Sequence, residues 1–163
     1  IIKMERLRKV LKDHGFINVS TYIQSGNILF STDLADRNEL EVQIQEIIQT
    51  HFGYHVPVRI TTLDELELIV KQNPFAYKTT PDSTQPYVAF LSESPQAENR
   101  NKLKDVDFVN DEFYIKDKVV YLWYAASAGK TKLTNVVIEN KLQVMATSRN
   151  WKTVQKLLAL IKN

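Results

Sequence analysis

The stretch Val119-Val-Tyr-Leu-Trp-Tyr-Ala-Ala-Ser-Ala-Gly-Lys-Thr-Lys-Leu-Thr-Asn135 decides how the last third of the chain folds. Residues 119–124 are apolar and rich in β-branched and aromatic side chains, which predicts a strand. The polar residues after them lead into an apolar helix predicted over about residues 132–141. A second polar group, residues 147–150, precedes another predicted helix, Trp151–Lys162. Two polar groups therefore lie at or near the starts of two helices.

The residue types at these helix starts indicate an anion-binding surface. Unpaired backbone N–H groups and the helix dipole favour anions at a helix N-terminus. Lys130 and Lys132 lie near the first start, and Arg149, which suits a two-point grip on phosphate, lies before the second. The alternative is purely structural: Asn150 caps the last helix, Trp151 packs as its first apolar residue and Arg149 is solvated.

Charge is distributed unevenly along the chain, whose formal net charge is +2. Residues 116–163 contain nine Lys or Arg against two acidic residues, a balance of +7. Residues 1–115 contain twelve against seventeen, a balance of −5. This segregation favours an anionic partner for the C-terminal part, although solvated lysines on helix faces would give the same count.

Several classes of chemistry have no support in the sequence. The chain has no cysteine, which excludes disulfides, thiolate metal sites and a Cys nucleophile. His51 and His55 are four apart, but Gly53 interrupts any shared helical face, and no nucleophile–base pair is recognisable. We therefore expect no catalytic constellation, no metal and no cofactor.

The apolar runs of the sequence bear on where the protein is located. No apolar run approaches the roughly 18 residues that span a bilayer. We expect a cytoplasmic protein that does not engage membranes, as a monomer or weak homodimer.

The first half is predicted to contain a helix, a hairpin, a helix, a strand and a third helix. The helices cover residues 3–14, about 36–52 and the segment that Thr62 caps; Ser25-Gly26-Asn27 forms the hairpin turn, and residues 56–60 form the strand. Residues 73–86 contain three of the five prolines and predict a division of the chain.

The second half is predicted to begin with a strand at residues 87–92. A polar helix with Pro95 as its first residue, a strand near Phe108 and a hairpin over residues 112–124 follow it, then a helix, a strand-like segment at residues 146–148 and the last helix. One more strand before residue 1 would make both halves βαββαβ. The predicted fold is thus α+β, with ferredoxin-like subdomains at residues 1–80 and 86–163, the first lacking its initial strand.

A phosphate loop is the most specific motif to weigh. Gly129-Lys130-Thr131 follows a strand and precedes a helix, as the end of such a loop would. Tyr124 occupies the position of the first glycine of that motif. Without this glycine, the backbone N–H groups are not expected to surround a pyrophosphate as they do in a complete phosphate loop. The weaker hypothesis is that Lys130, Lys132 and a helix N-terminus bind a single phosphate or a nucleic-acid backbone.

The aromatic residues of the strands allow two interpretations. Tyr22, Tyr121, Trp123 and Tyr124 would stack on nucleic-acid bases if they were exposed on the sheet. Aromatic side chains at alternating strand positions also serve as core. The glycine–aromatic spacing of the RNA-recognition signature is absent from the sequence.

Three motifs in order, Tyr22-Ile-Gln-Ser-Gly-Asn-Ile-Leu-Phe30, Lys132-Leu-Thr-Asn135 and Thr147-Ser-Arg-Asn-Trp-Lys-Thr-Val154, resemble the bacterial proteins grouped as domain of unknown function 1697. The resemblance covers nearly the whole chain and implies two ferredoxin-like halves. It also implies that a strand and an Arg-Gly-Ile-Asn-Val-Gly-Gly-like segment precede the first helix, which this sequence lacks. The site positions it implies are Ser25, Gly26, Asn27, Lys132, Thr134, Asn135, Arg149, Asn150 and Trp151.

Three functional classes follow from these observations. The first is a module that binds an anion, either nucleic acid or a phosphorylated small molecule. The second is a phosphate-handling enzyme of small molecules, which would need an enclosed pocket. The third is a protein-interaction or homodimer module, which would need a large apolar patch.

Overall fold

The computed structural model describes residues 1–80 and 83–163 and shows an α+β protein. These residues form six α-helices, a short 3-10 helix, a two-stranded sheet and a four-stranded sheet, both antiparallel. By their internal contacts they divide into two units, Ile1–Ile60 and Thr61–Asn163. No described helix is both long enough and apolar enough to cross a bilayer.

The helices and strands have the following bounds. The helices are α1 (Met4–Asp13), α2 (Arg37–Phe52), α3 (Leu63–Lys71), α4 (Ala97–Lys104), α5 (Asn135–Leu142) and α6 (Trp151–Lys162). The strands are β1 (Ile17–Tyr22), β2 (Asn27–Ser31), β3 (Tyr87–Leu91), β4 (Glu112–Lys116), β5 (Val119–Trp123) and β6 (Ala146–Asn150).

The first unit is built from α1, the β1–β2 hairpin and α2. Leu7 and Leu11 of α1 pack with Ile44 and Ile48 of α2, because residues three or four apart share one helix face. The ends of α2 follow local rules: the Asp36 side chain accepts from the Glu39 N–H at the start, and left-handed Gly53 ends it.

The predicted strand at residues 56–60 is wrong. Val56, Val58 and Ile60 alternate along the chain and are all partly buried against the core of the first unit, as one face of a strand would be. A strand also requires a hydrogen-bonded neighbour, however, and no described residue pairs with this segment.

The second unit is a four-stranded sheet between two pairs of helices. Its strand order is β4-β5-β3-β6, every neighbouring pair is antiparallel, and α4 lies between β3 and β4 in the chain as α5 lies between β5 and β6. Ala89 and Val120 pack on the side of α4 and α5, whereas Val88 and Tyr121 pack on the side of α3 and α6. Successive residues of one strand point to opposite faces, so both faces of β3 are buried.

Three predicted boundaries need correction. Residues around Phe108 form no strand; its side chain instead belongs to the core beneath α4 and α5. Helix α5 begins at Asn135 rather than near 132, because Thr134 accepts from the Val137 N–H as N-cap. Helix α4 begins at Ala97, two residues after the predicted Pro95.

Most other elements are confirmed. Helix α6 begins after Asn150 as predicted, and Thr62 caps α3 through a capping box with Glu65. Helix α3 packs against α6, so contacts place residues 61–80 in the second unit. The subdomain bounds 1–80 and 86–163 stay a prediction.

Replacing Tyr121 with Phe tests how β5 is joined to α3. The buried Tyr121 hydroxyl donates to the Ile69 carbonyl over 2.7 Å, and Tyr121→Phe leaves that carbonyl without this donor. We expect a loss of about 1 kcal/mol in the free energy of unfolding, measured with urea. Tyr114→Phe is the control, since exposed Tyr114 pairs with Tyr121 across the ladder; an equal loss there would contradict the assignment.

Candidate functional site

Three polar segments of the second unit meet at one end of the four-stranded sheet. Tyr87, the first residue of β3, pairs with Leu122 near the end of β5 and with Asn150 at the end of β6. The segment before β3, the loop after β5 and the start of α6 therefore lie at the same end. We call this the polar end of the sheet.

An open groove of about 470 Å³ lies at the polar end. It is lined by Ser83, Thr84, Gln85, Tyr87, Ala126, Ser127, Ala128 and Gly129. None of these described lining residues is acidic, and the hydroxyl groups of Thr84 and Ser127 and the backbone N–H groups of residues 126–129 are hydrogen-bond donors. A second groove, of about 540 Å³, runs along α2 and is lined by three carboxylates, Asp36, Glu39 and Glu46, which disfavour an anion there.

Asp111 braces the loop that forms one wall of the groove. Its carboxylate accepts from the Ala125 N–H over 2.7 Å and from the Thr131 hydroxyl over 2.5 Å. The same hydroxyl accepts from the Leu133 N–H over 2.9 Å. One carboxylate therefore holds both ends of the loop.

Gln85 joins the other wall to the sheet. Its side-chain amide donates to the Tyr124 carbonyl over 2.8 Å and accepts from the Tyr124 N–H over 2.6 Å. This pairing continues the ladder one residue beyond the end of β5. The segment before β3 is thereby fixed against the loop after β5.

Lys130 and Lys132 lie on the braced loop, with exposed side chains. The Lys130 N–H donates to the Ser127 carbonyl over 3.1 Å, which closes a turn. Because α5 begins at Asn135, the lysines precede the helix by several residues and are not part of its first turn. Within residues 1–80 and 83–163, neither ammonium group forms an ion pair.

The structure gives Gly129-Lys130-Thr131 a geometry unlike that of a phosphate loop. In such a loop the Ser or Thr hydroxyl binds a metal ion at a helix start. Here the Thr131 hydroxyl is engaged by Asp111 and by the Leu133 N–H, before α5 begins. The binding of a single phosphate at these residues stays a prediction.

Thr134 and Asn135 have visible structural roles. Thr134 caps α5 by accepting from the Val137 N–H over 3.3 Å. Asn135 donates to the Ala146 carbonyl over 2.9 Å and accepts from the Ser148 hydroxyl over 2.8 Å. The start of α5 is thus joined directly to β6, which brings the two predicted C-terminal polar groups together.

Arg149 is partly buried on the side of the sheet that faces α3 and α6. It pairs with Val88, whose side chain belongs to the core on that side, and cross-strand partners share a face. Its Nη1 donates to the Ser148 carbonyl over 2.9 Å. Burial lowers the pKa of the Arg149 guanidinium from its ordinary value. Arg149 is therefore not the freely solvated side chain of the structural alternative.

Asn150 and Trp151 begin α6. The Asn150 side chain accepts from the Thr153 N–H over 2.9 Å, which confirms the predicted cap. Trp151 is only 4% exposed and packs with Val154, while its backbone N–H donates to the Thr84 carbonyl over 2.7 Å. This bond places the start of α6 against a residue that lines the groove.

Ser25 and Gly26 lie in the turn of the β1–β2 hairpin in the first unit, and Asn27 is the first residue of β2. Asn27 is buried, and its Nδ2 donates to the Tyr22 carbonyl over 3.0 Å and to the Ser25 hydroxyl over 2.9 Å. Gly26 has a φ of 89°, a conformation that favours glycine. The motif therefore has a turn-forming role, and its role in ligand binding stays a prediction.

The strand aromatics are mainly core. Tyr121 and Tyr124 are buried in the second unit and cannot present a stacking surface. Partly buried Trp123 lies 5.3 Å from the Lys78 ammonium, which also pairs with Glu112. The hydrogen bond to Glu112 raises the pKa of Lys78.

Sequence reasoning missed Asp111 and Gln85, the two residues that shape the groove. Each holds backbone groups that lie far away along the chain, so no local spacing marks them. The only available signal was the position of each residue just before a predicted strand.

The helices and strands together make this an α+β protein. Among the described residues, no group of three or more His, Cys, Asp or Glu side chains is placed to hold a metal ion. The chain belongs to the family described as "Protein of unknown function (DUF1697)", whose model matches residues 1–121. This match confirms the resemblance seen in the sequence.

One solved structure extends the likeness to the whole fold. The conserved bacterial protein SP0830 from Streptococcus pneumoniae aligns with a TM-score of 0.77 at 20% identity, over 100% of this chain and 91% of that one. At this identity the likeness shows a shared fold. No curated protein matches the chain.

Removing the Asp111 carboxylate should loosen the loop. Asp111→Ala deprives the Ala125 N–H and the Thr131 hydroxyl of their acceptor, and we expect a loss of about 1–2 kcal/mol in the free energy of unfolding. Hydrogen exchange at Ala125 should accelerate. Asp105→Ala, at an exposed helix end, should change stability by less than about 0.5 kcal/mol. Unchanged exchange at Ala125 would contradict the bracing role.

Alkaline pH should destabilise the fold through Tyr124. Burial, followed by the nearby Tyr87 and Asp111, raises the pKa of Tyr124 from 10.0 to about 12. The folded protein therefore holds this proton more tightly than the unfolded chain does, and its contribution to stability, intact below pH 10.0, declines as pH rises to about 12. Urea unfolding across this range should show a smaller decline for Tyr124→Phe than for the parent. Equal declines would place the effect elsewhere, for instance at Tyr121.

Proposed function

We propose that the second unit binds a phosphate group in the groove at the polar end of the sheet. The observation that carries the proposal is a groove of about 470 Å³ whose lining, among the residues that the structure describes, contains hydroxyl and backbone donors and no carboxylate. Exposed Lys130 and Lys132 lie on the loop that forms its wall. A phosphate group needs donors and positive charge together, and these residues supply both.

The donors are held in place before a ligand arrives. Asp111 fixes the loop that carries Ser127 and Gly129, and Gln85 fixes the segment that carries Ser83 and Thr84. A site whose donors are already ordered loses less conformational entropy on binding. Rigid walls therefore favour a specific site over a merely charged surface.

The N-terminus of α6 adds the positive end of a helix dipole, which favours an anion. The bond from the Trp151 N–H to the Thr84 carbonyl brings the positive end of this twelve-residue helix next to the groove lining. Its effect on an anion is on the order of 0.3–1 kcal/mol at an exposed site. Together with the +7 balance of residues 116–163, it gives this end of the unit an attraction for anions.

Phosphate is favoured over base recognition as the chemistry bound. Tyr121 and Tyr124, which a base-stacking surface would use, are buried. The groove donors suit phosphate oxygens from either a nucleic-acid backbone or a phosphorylated small molecule. The experiment below separates these two sources.

We further infer that residues 87–150 form a ferredoxin-like plait. In support, their element order is strand, helix, strand, strand, helix, strand, and the order β4-β5-β3-β6 places the first and third of these strands at the centre. For the first half, the helix–hairpin–helix order of residues 4–52 is the corresponding support.

Removing the two loop lysines tests the phosphate site. Lys130→Ala combined with Lys132→Ala should weaken binding at least about tenfold, since each charge-assisted contact contributes about 1.5–3 kcal/mol. Calorimetry with inorganic phosphate and small phosphate esters forms one arm. Single-stranded RNA and DNA oligonucleotides at several salt concentrations form the other, and there each lost phosphate contact should lower the salt slope by about 1.

A matched control removes the same charge from the other end of the sheet. Lys116 and Lys118 lie at the β4–β5 turn, opposite the polar end, and are replaced together by Ala. Binding by this variant should stay close to that of the parent. Equal losses in the two double variants would mean that net charge alone attracts the anion, and no binding in either arm would overturn the proposal.

A further inference from the structure

The two helices of the first unit bring a pair of histidines together. His14 is the C-cap residue of α1, and His51 lies in the last turn of α2. Their Nε2 atoms are 3.1 Å apart, and the two rings meet edge to face with centroids 5.2 Å apart. The residues are 37 positions apart in the sequence, so only the packing of α1 on α2 joins them.

The separation of the two nitrogens fits two ligands of one metal ion. A transition metal binds imidazole nitrogen at about 2.0–2.1 Å, so two such ligands at tetrahedral or right angles stand about 2.8–3.4 Å apart. The observed 3.1 Å falls inside this range.

The surroundings of the pair contain both favourable and opposing charge. Both histidines lie at helix C-terminal ends, where the helix dipole favours a cation. Arg6 disfavours a cation at this position, because its positively charged guanidinium lies nearby. Its Nη2 donates to the His51 carbonyl over 3.3 Å, and the guanidinium lies over the Phe52 ring. These terms predict a site of moderate affinity, supported mainly by the two imidazoles.

The site is open to solvent. Both histidine side chains are exposed, and no group of three or more ligand-type residues occurs in the described part of the chain. Water would therefore fill the remaining positions around an ion. Imidazole and water ligands suit Cu²⁺, Ni²⁺ and Zn²⁺, with Cu²⁺ bound most tightly of the three.

We propose that His14 and His51 form a surface site for a divalent transition-metal ion, with Cu²⁺ the tightest. The site is independent of the phosphate groove, because it uses only residues of the first unit. It depends on the folded state, since the unfolded chain does not hold the two histidines together. Bound metal should consequently raise the unfolding temperature.

The chain offers a matched control in its third histidine. Untagged protein is titrated separately with Cu²⁺, Ni²⁺ and Zn²⁺ by calorimetry in a buffer that does not chelate metals. We expect one ion per chain, weakened at least about tenfold by His14→Ala and by His51→Ala and unchanged by exposed His55→Ala. Electron paramagnetic resonance of the Cu²⁺ form should show coupling to two imidazole nitrogens, falling to one in each single variant.

Folding of the variants is checked by circular dichroism, and His14→Gln and His51→Gln replace any alanine variant that fails to fold. Binding that persists in the variant lacking both His14 and His51 would overturn the site. So would parent protein that binds none of the three ions, which would leave the contact as a hydrogen bond between two rings.

Discussion

Burial of the central strand pair β3 and β5 on both faces is the constraint on which the second unit depends. Val88 and Ala89 are adjacent in β3 yet pack into different cores, and Tyr121 and Val120 do the same in β5. Both faces must therefore be covered, which is why α4 and α5 lie on one side and α3 and α6 on the other. The same register fixes which loops share the polar end, because the start of β3 is bonded to the ends of β5 and β6.

The loops at that end gain order from polar side chains rather than from apolar packing. The Asp111 and Gln85 side chains bond backbone groups of the segment that follows β5. A loop held this way can keep exposed lysines and a glycine in fixed positions without burying them. In the second unit, apolar packing thus forms the two cores, whereas side-chain hydrogen bonds hold the loops at the polar end.

The first unit follows a different arrangement. Its core is formed mainly by one face of α1 and one face of α2, with the β1–β2 hairpin against them. Packing α1 against α2 brings their C-terminal ends close enough for His14 and His51 to touch. A surface property of this unit therefore arises from a core interaction between residues distant in sequence.

The sequence by itself determined most of the elements and several of the helix ends, because these depend on neighbours within a few residues. Thr62 and Asn150 cap helices as their local patterns predict, and Gly53 ends α2. It also determined the family and the segregation of charge. The alternation at residues 56–60 was equally visible, yet no strand forms there, since pairing requires a partner that periodicity does not reveal.

Only the tertiary structure decided the strand order, the burial of Tyr121 and Tyr124, the side of the sheet on which Arg149 lies, and the contact between His14 and His51. The bracing of the loop by Asp111 belongs to the same group. Each of these features depends on contacts between residues that are distant in the sequence. Such contacts form only when whole helices and strands pack against one another. Local propensity acts over one turn or one hairpin and carries no information about such pairs.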